Sequence, residues 1–214
     1  MKALFIGSIS VLSDTSDMQR RCFNSAFGEA GLDWHWSEDT YRGMLASSGG
    51  KNRIAAFAEQ KGVEVDVAAL HARKSAFFAD ALRTGQLSMR PRTRALLAEA
   101  RALDLPVAFV SGTLRASLDA LVDGFGGAEA LGIDLITSEE LGLAPKPAPA
   151  LYQYALDQLK LDPRDVVAIE DNRPGILAAQ AAGVRCKAYP NANTAVHDFS
   201  DVEVLSDGPG GVAA

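Results

Sequence analysis

Short apolar runs alternate along this chain with longer stretches whose apolar positions recur at helical spacing. Lys2-Ala3-Leu4-Phe5-Ile6 is rich in strand formers and stops at the small residues from Gly7 to Ser10, as a buried parallel strand does on leaving its sheet. Similar runs recur at Pro106 to Val110, Ile133 to Ile136 and Val166 to Ile169, with helical patterning at Thr93 to Ala102, Leu114 to Val122, Pro149 to Leu159 and Pro174 to Ala182. Strand and helix in alternation require crossover connections, which place helices on both faces of a parallel sheet. The pattern predicts a doubly wound α/β core. Ligands of such sheets bind beyond the carboxyl ends of the strands, so the residues that follow each run are the ones to read for chemistry.

From Thr15 to Ser88 the pattern changes. Phe23, Ala26, Phe27 and Ala30, then Ile54, Phe57 and Ala58, then Ala76, Phe77, Ala79, Ala81 and Leu82 keep helical spacing, with no convincing strand among them. The expected organisation is an α/β core formed by residues 1–14 and 89–214, interrupted after its first strand by an all-helical cap domain over residues 15–88. Trp34 and Trp36 are expected to pack between cap helices, Cys22 to be a small buried filler, and His71 and His197 to lie on the surface. Gly208-Pro209-Gly210-Gly211 reads as a frayed tail.

Composition then removes several classes of function. A formal net charge of -6 leaves no basic footprint for nucleic acid. Hydrophobic residues at 48% with charged residues at 22% are ordinary for a globular chain with a real core. The apolar runs fall short of the roughly 20 residues that span a bilayer, so no membrane partner is expected. Nothing at the start of the chain has the form of a signal peptide. Two cysteines far apart make neither a disulfide framework nor a zinc site. The cytoplasm is the expected compartment.

Beyond the strands, four features follow in order. They are Gly7 to Asp14, Ser111-Gly112-Thr113, Lys146-Pro147-Ala148-Pro149, and Glu170-Asp171-Asn172-Arg173-Pro174-Gly175 with Ala181-Ala182-Gly183 behind it. Read for their chemistry, Ser111 offers a hydroxyl, the amides of Gly112 and Thr113 lie near a helix start where anions are favoured, and Lys146 is a point charge for phosphate or for Glu170. In this order and spacing the features resemble the haloacid dehalogenase superfamily over nearly the whole chain. Gln19-Arg20-Arg21-Cys22-Phe23-Asn24, Tyr41-Arg42 and Ser48-Gly49-Gly50-Lys51-Asn52-Arg53-Ile54 are similar to its β-phosphoglucomutase and CbbY branch, which handles phosphorylated sugars. The resemblance implies that Ser111, Gly112 and Lys146 hold phosphate, that Tyr41, Arg42, Gly50, Lys51 and Arg53 face the substrate from the cap, and that Asp171 with Glu170 serves magnesium.

The first motif departs from the family. Directly after its first strand the family places an aspartate nucleophile, then a second aspartate two residues on, then Gly-Thr-Leu; here those positions hold Gly7, Ile9, Ser10, Val11 and Leu12. Glycine has no carboxylate to attack phosphorus, and isoleucine cannot protonate a leaving oxygen. Ser16 and Gln19 stand where the family has glutamate and histidine, and Ala150 where an aspartate often follows the Lys-Pro motif. In the family, magnesium rests on the nucleophile carboxylate, a backbone carbonyl and the carboxylate that Asp171 matches, so its binding is expected to be weak or absent here.

Three functions compete at this point. The first is a phosphohydrolase homologue that has lost catalysis and binds a small phosphorylated metabolite, such as a sugar phosphate, or a protein partner. The second is an active hydrolase with a substitute nucleophile at Ser8, Ser10 or Asp14, for which the sequence shows no activating neighbour. The third is a structural or oligomerisation module with a vestigial pocket. Loss of both first-motif carboxylates beside a retained phosphate cradle favours the first. Gly7→Asp with Ile9→Asp is expected to bring back magnesium binding before catalysis.

Overall fold

The computed structural model describes residues 1–45 and 49–207, so Ser48 and the Gly208 to Gly211 tail lie outside the described residues. Strands β1 (Ala3–Ile6), β2 (Val107–Val110), β3 (Leu135–Thr137), β4 (Val166–Glu170), β5 (Arg185–Ala188) and β6 (Glu203–Val204) form one parallel sheet in the order β3-β2-β1-β4-β5-β6. Every residue of β1, β2 and β4 is buried, which is why β1, β2 and β4 as far as Ile169 read as unbroken apolar runs. Side chains of β1 alternate between the two faces: Leu4 and Ile6 join a cluster with Phe109, Leu118 and Ile169, while Ala3 and Phe5 join one with Val110, Leu151 and Ile176.

Helices α6 (Pro91–Ala102), α7 (Arg115–Asp123), α8 (Ala128–Leu131), α9 (Ala150–Leu159) and α10 (Arg173–Ala181) cover the sheet. β3 begins two residues later than the apolar run, because Asp134 turns its carboxylate to the amide of Val107 at 2.8 Å. β5 and β6 escape the sequence reading. Arg185-Cys186-Lys187-Ala188 alternates polar with apolar residues, and β6 is a two-residue exposed edge.

After β1 the chain turns through α1 (Ile9–Leu12) into α2 (Ser16–Glu29), α3 (Glu38–Met44), α4 (Gly50–Lys61) and α5 (Val67–Thr84) before α6 returns it to the sheet. Side chains of Ser37 and Asp66 cap α3 and α5, and Gly62 closes α4 in the left-handed conformation. These helices share their own apolar centre of Phe23, Phe27, Trp34, Trp36, Tyr41 and Phe57, in which Trp36 lies 4.6 Å from Phe23 and 4.9 Å from Phe27. The far end of α5 reaches the other layer, where Phe78 and Leu82 pack with Leu4 and Ile6. Among the described residues no helix is long and apolar enough to cross a membrane.

Candidate functional site

The carboxyl ends of β1, β2 and β4 face α4 and α5 across a cavity of about 520 Å³, a size usual for small-molecule sites. Gly7, Ser8, Ile9, Ser111, Gly112, Lys146 and Asp171 border it from the sheet; Gln19, Tyr41, Gly50, Lys51, Arg53, His71 and Lys74 border it from the helices. Most residues singled out by sequence therefore share one space. Arg42 does not: its guanidinium pairs with Asp39 at 3.1 Å and stands away from the cavity lining, contrary to the expectation that it faces a substrate.

At the centre, the carbonyl of Gly7 accepts a hydrogen bond from the Lys146 ammonium. Lys146 Nζ also donates to the Val110 carbonyl at 2.9 Å and to Glu170 Oε1 at 2.5 Å. An ammonium has three hydrogens, and all three are spent inside the protein. Tyr152 donates its hydroxyl to the same Glu170 oxygen at 2.7 Å. Glu170 is wholly buried, and a Cβ built on Gly7 would lie 2.2 Å from Glu170 Cδ. The glutamate thus fills the space that a side chain at position 7 needs, with Gly175 leaving equal room on its other side. Burial raises the pKa of Glu170, which the Lys146 charge opposes, and burial followed by the Glu170 charge pushes Tyr152 well above its ordinary value. Lys146 borders the cavity, with its charge paired to Glu170.

Asp171 has a different neighbourhood. It accepts from Ser8 Oγ at 2.7 Å, from Asn172 Nδ2 at 2.6 Å and from Asn191 Nδ2 at 3.2 Å. Ser8 also caps α1, its Oγ accepting from the Val11 amide at 3.2 Å. No activating neighbour of Ser8 was visible along the chain, because Asp171 reaches it only through the pairing of β1 with β4.

Magnesium does not fit these donors. Glu170, expected beside Asp171 as a ligand, is turned inward to Lys146 and Tyr152. Two amide NH2 groups are aimed at Asp171, where a cation needs unspent oxygens. Among the described residues, no group of three or more His, Cys, Asp or Glu could hold a metal ion.

The expected phosphate cradle is also partly satisfied from within. Ser111 Oγ accepts from the Thr113 amide at 3.2 Å, and both Glu140 carboxylate oxygens accept from the Arg115 amide at the start of α7, at 3.0 and 3.1 Å. A carboxylate of the chain already occupies that helix start. Among the described residues no acceptor takes the Ser111 hydroxyl proton.

Positive charge on the helical side comes from Lys51, Arg53 and Lys74. Lys51 reaches Glu139 at 2.6 Å across the cavity, a half-exposed pair of the kind worth little in stability. The Arg53 guanidinium lies 5.9 Å from the Phe23 ring and 5.8 Å from the Tyr41 ring. Lys74 is 6% exposed, sits 4.8 and 4.6 Å from the Phe23 and Phe78 rings, and donates to Gln19 Oε1 at 3.0 Å. Burial, and then the Arg53 charge, lower its pKa to about 7. His71 does not lie on the open surface as expected; it borders the cavity, where burial and the Lys74 charge lower it to about 4. Gly50 has to be small, since a Cβ there would meet His71 Nε2 at 2.6 Å.

The family model of haloacid dehalogenase-like hydrolases matches residues 8–183. The chain belongs to that family. It is 35% identical over 204 residues to the protein CbbY of Rhodobacter capsulatus, covering 94% of this chain and 90% of the relative. It is 36% identical over 208 residues to the plasmid CbbY protein of Cupriavidus necator, covering 93% and 82%. The crystal structure of CbbY from Rhodobacter sphaeroides in complex with phosphate superposes with a TM-score of 0.88 at 31% identity, covering 97% of this chain and 94% of that one. A mutant of that protein in complex with xylulose-(1,5)bisphosphate gives 0.87 at 30% identity, covering 96% and 94%.

Lys74 is the residue that sequence reasoning missed. It stands four residues after Leu70 and four before Phe78 on the buried stripe of α5, and a lysine on such a stripe was the available signal. Its folded pKa of about 7 lies below the ordinary lysine value of 10.5, so between those two values the unfolded chain holds the proton more often. Stability should therefore rise with pH across that window. Lys74→Met should raise stability at pH 7 and flatten the rise, as read by urea unfolding at several pH values. A loss of stability at pH 7 would show that the ammonium is well satisfied where it lies.

Proposed function

We propose that this chain binds a phosphorylated sugar between its sheet and its helical insert, which acts as a cap, and does not turn the ligand over by aspartyl-phosphate chemistry. One observation carries the reading. The space for a nucleophile above Gly7 is filled by the Glu170 carboxylate and the Tyr152 hydroxyl, while a ligand-sized cavity persists beside it with the charges of Lys51 and Arg53 among its walls. Ser111 and the cap residues Lys51 and Arg53 supply donors for phosphate groups; Tyr41, Gly50 and Lys74 shape the wall. The complexes of Rhodobacter sphaeroides CbbY with phosphate and of its mutant with xylulose-(1,5)bisphosphate support a ketose bisphosphate as ligand. No magnesium is required in this reading.

Calorimetric titration with inorganic phosphate and with xylulose 1,5-bisphosphate, in the presence of a chelator, tests it. Both should bind, the bisphosphate more tightly, and saturation near a hundred times Kd should stabilise the fold by about 2.7 kcal/mol. Lys51→Ala should weaken the bisphosphate more than inorganic phosphate. Absence of binding, or binding only with magnesium, would overturn the reading.

The contact between Ser8 and Asp171 favours one alternative. A hydroxyl within hydrogen-bond reach of a carboxylate, itself held by Asn172 and Asn191, is the arrangement of an activated nucleophile. On attack at phosphorus the Ser8 proton would pass to Asp171 and then to the departing alkoxide. The product is a serine phosphomonoester, whose uncatalysed hydrolysis is among the slowest known. This alternative yields one phosphoryl group per chain on Ser8, visible by peptide mass analysis.

A further inference from the structure

Lys74 is buried, borders the cavity, and is clamped between two phenyl rings, which is more enclosure than a phosphate-gripping lysine needs. Its hydrogen-bond partner is the neutral Gln19, and the ion pairs among the described residues include none to Lys74. The titratable and charged groups acting on it are Arg53 of α4 and Cys22 of α2, with His71 one turn back on α5. His71 is lowered to about 4 and so is neutral near pH 7. Among the described residues no carboxylate forms an ion pair with Lys74, and none is among the charges that shift it.

We propose that Lys74 is a carbonyl-reactive amine that forms an imine with the open-chain aldehyde or ketone of a phosphorylated ligand in the cap half of the cavity. Burial beside the Arg53 charge disfavours the ammonium against the modest attraction of the two ring faces and raises the share of free amine, which is how lysine nucleophiles are made. The hydrogen bond to Gln19 Oε1 spends an N–H and leaves the nitrogen lone pair available. In the reaction the neutral Nζ adds to the carbonyl carbon, the C=O π pair moves to oxygen, and a proton passes from nitrogen to that oxygen. The carbinolamine hydroxyl takes a proton from solvent and leaves as water as the nitrogen lone pair forms C=N. Loss of the remaining N–H proton returns one proton to solvent, so the step is balanced with no oxidant, reductant or metal. The lowered pKa of about 7 agrees with this role, since about half of the amine is then free at pH 7 against well under a thousandth for an ordinary lysine.

The inference rests on the cavity accepting a phosphorylated ligand, and the test separates the two. The native chain is incubated at pH 7 with glycolaldehyde phosphate and sodium cyanoborohydride, which reduces an imine to a stable amine, and the modified peptide is located by mass spectrometry. The expected result is one adduct per chain on Lys74, formed at least about tenfold faster than on any other lysine, suppressed by excess inorganic phosphate and abolished in Lys74→Arg. Ethyl phosphate, which has no carbonyl, should protect without adding. Adducts spread evenly over exposed lysines such as Lys51 and Lys61, or none on Lys74 while inorganic phosphate still binds, would overturn the imine alone. No adduct together with no phosphate binding would overturn the ligand reading as well.

Discussion

With magnesium and a sugar phosphate, this chain is expected to release inorganic phosphate about a millionfold more slowly than a relative whose first motif carries both aspartates. The scale is that of deleting the nucleophile or base of a serine protease, about 10⁶ in rate, or roughly 8 kcal/mol of lost transition-state stabilisation. Position 7 has no side chain and position 9 has an alkyl one. The neighbouring groups do not compensate: Lys146 is fully engaged and Glu170 is sealed from the cavity. A steady-state assay on stringently purified protein checks this. Turnover that survives purification and disappears in Ser8→Ala would contradict it and establish the serine alternative.

Gly7→Asp on its own should destabilise the fold by about 3 kcal/mol or more. The new Cβ would stand 2.2 Å from Glu170 Cδ and 2.6 Å from the Tyr152 hydroxyl, so the glutamate has to move. If it stays buried, two carboxylates share the single ammonium of Lys146, and one is left as an uncompensated interior charge, the costly outcome for buried pairs. In a Glu170→Ala background the introduced carboxylate can take Lys146 for itself, and the penalty should shrink. Urea unfolding of the two single variants and the double one should show a coupling above about 1 kcal/mol, as expected for groups competing for one partner. Additive costs would mean that Glu170 does not occupy that space in solution. The same obstacle bears on repair: Gly7→Asp with Ile9→Asp gathers carboxylates for magnesium only once Glu170 has turned away from Lys146.

The parallel core was legible in the sequence because β1, β2 and β4 are buried on both faces and carry apolar residues throughout, except for Glu170 at the end of β4. β5 was not, since its polar positions break the run. The order of residues after the strands located Ser111, Lys146 and Asp171 at one sheet edge. What they do there was not legible. Lys146 meets Gly7 across 139 positions and Ser8 meets Asp171 across 163, so neither engagement leaves a local pattern. The turn of Arg42 toward Asp39 and the inward rotation of Glu170 are likewise choices among rotamers that spacing does not fix. Lys74 was different, because one cation on an apolar helical stripe is visible in the sequence once it is looked for.

The central claim, that the pocket holds a phosphorylated sugar without cleaving it, is tested most directly by phosphorus NMR of the chain mixed at equal concentration with xylulose 1,5-bisphosphate and magnesium. The account predicts two ester resonances shifted or broadened by binding, and no inorganic phosphate resonance over many hours. An inorganic phosphate signal that grows in proportion to the amount of protein, at the expense of either ester, would contradict it.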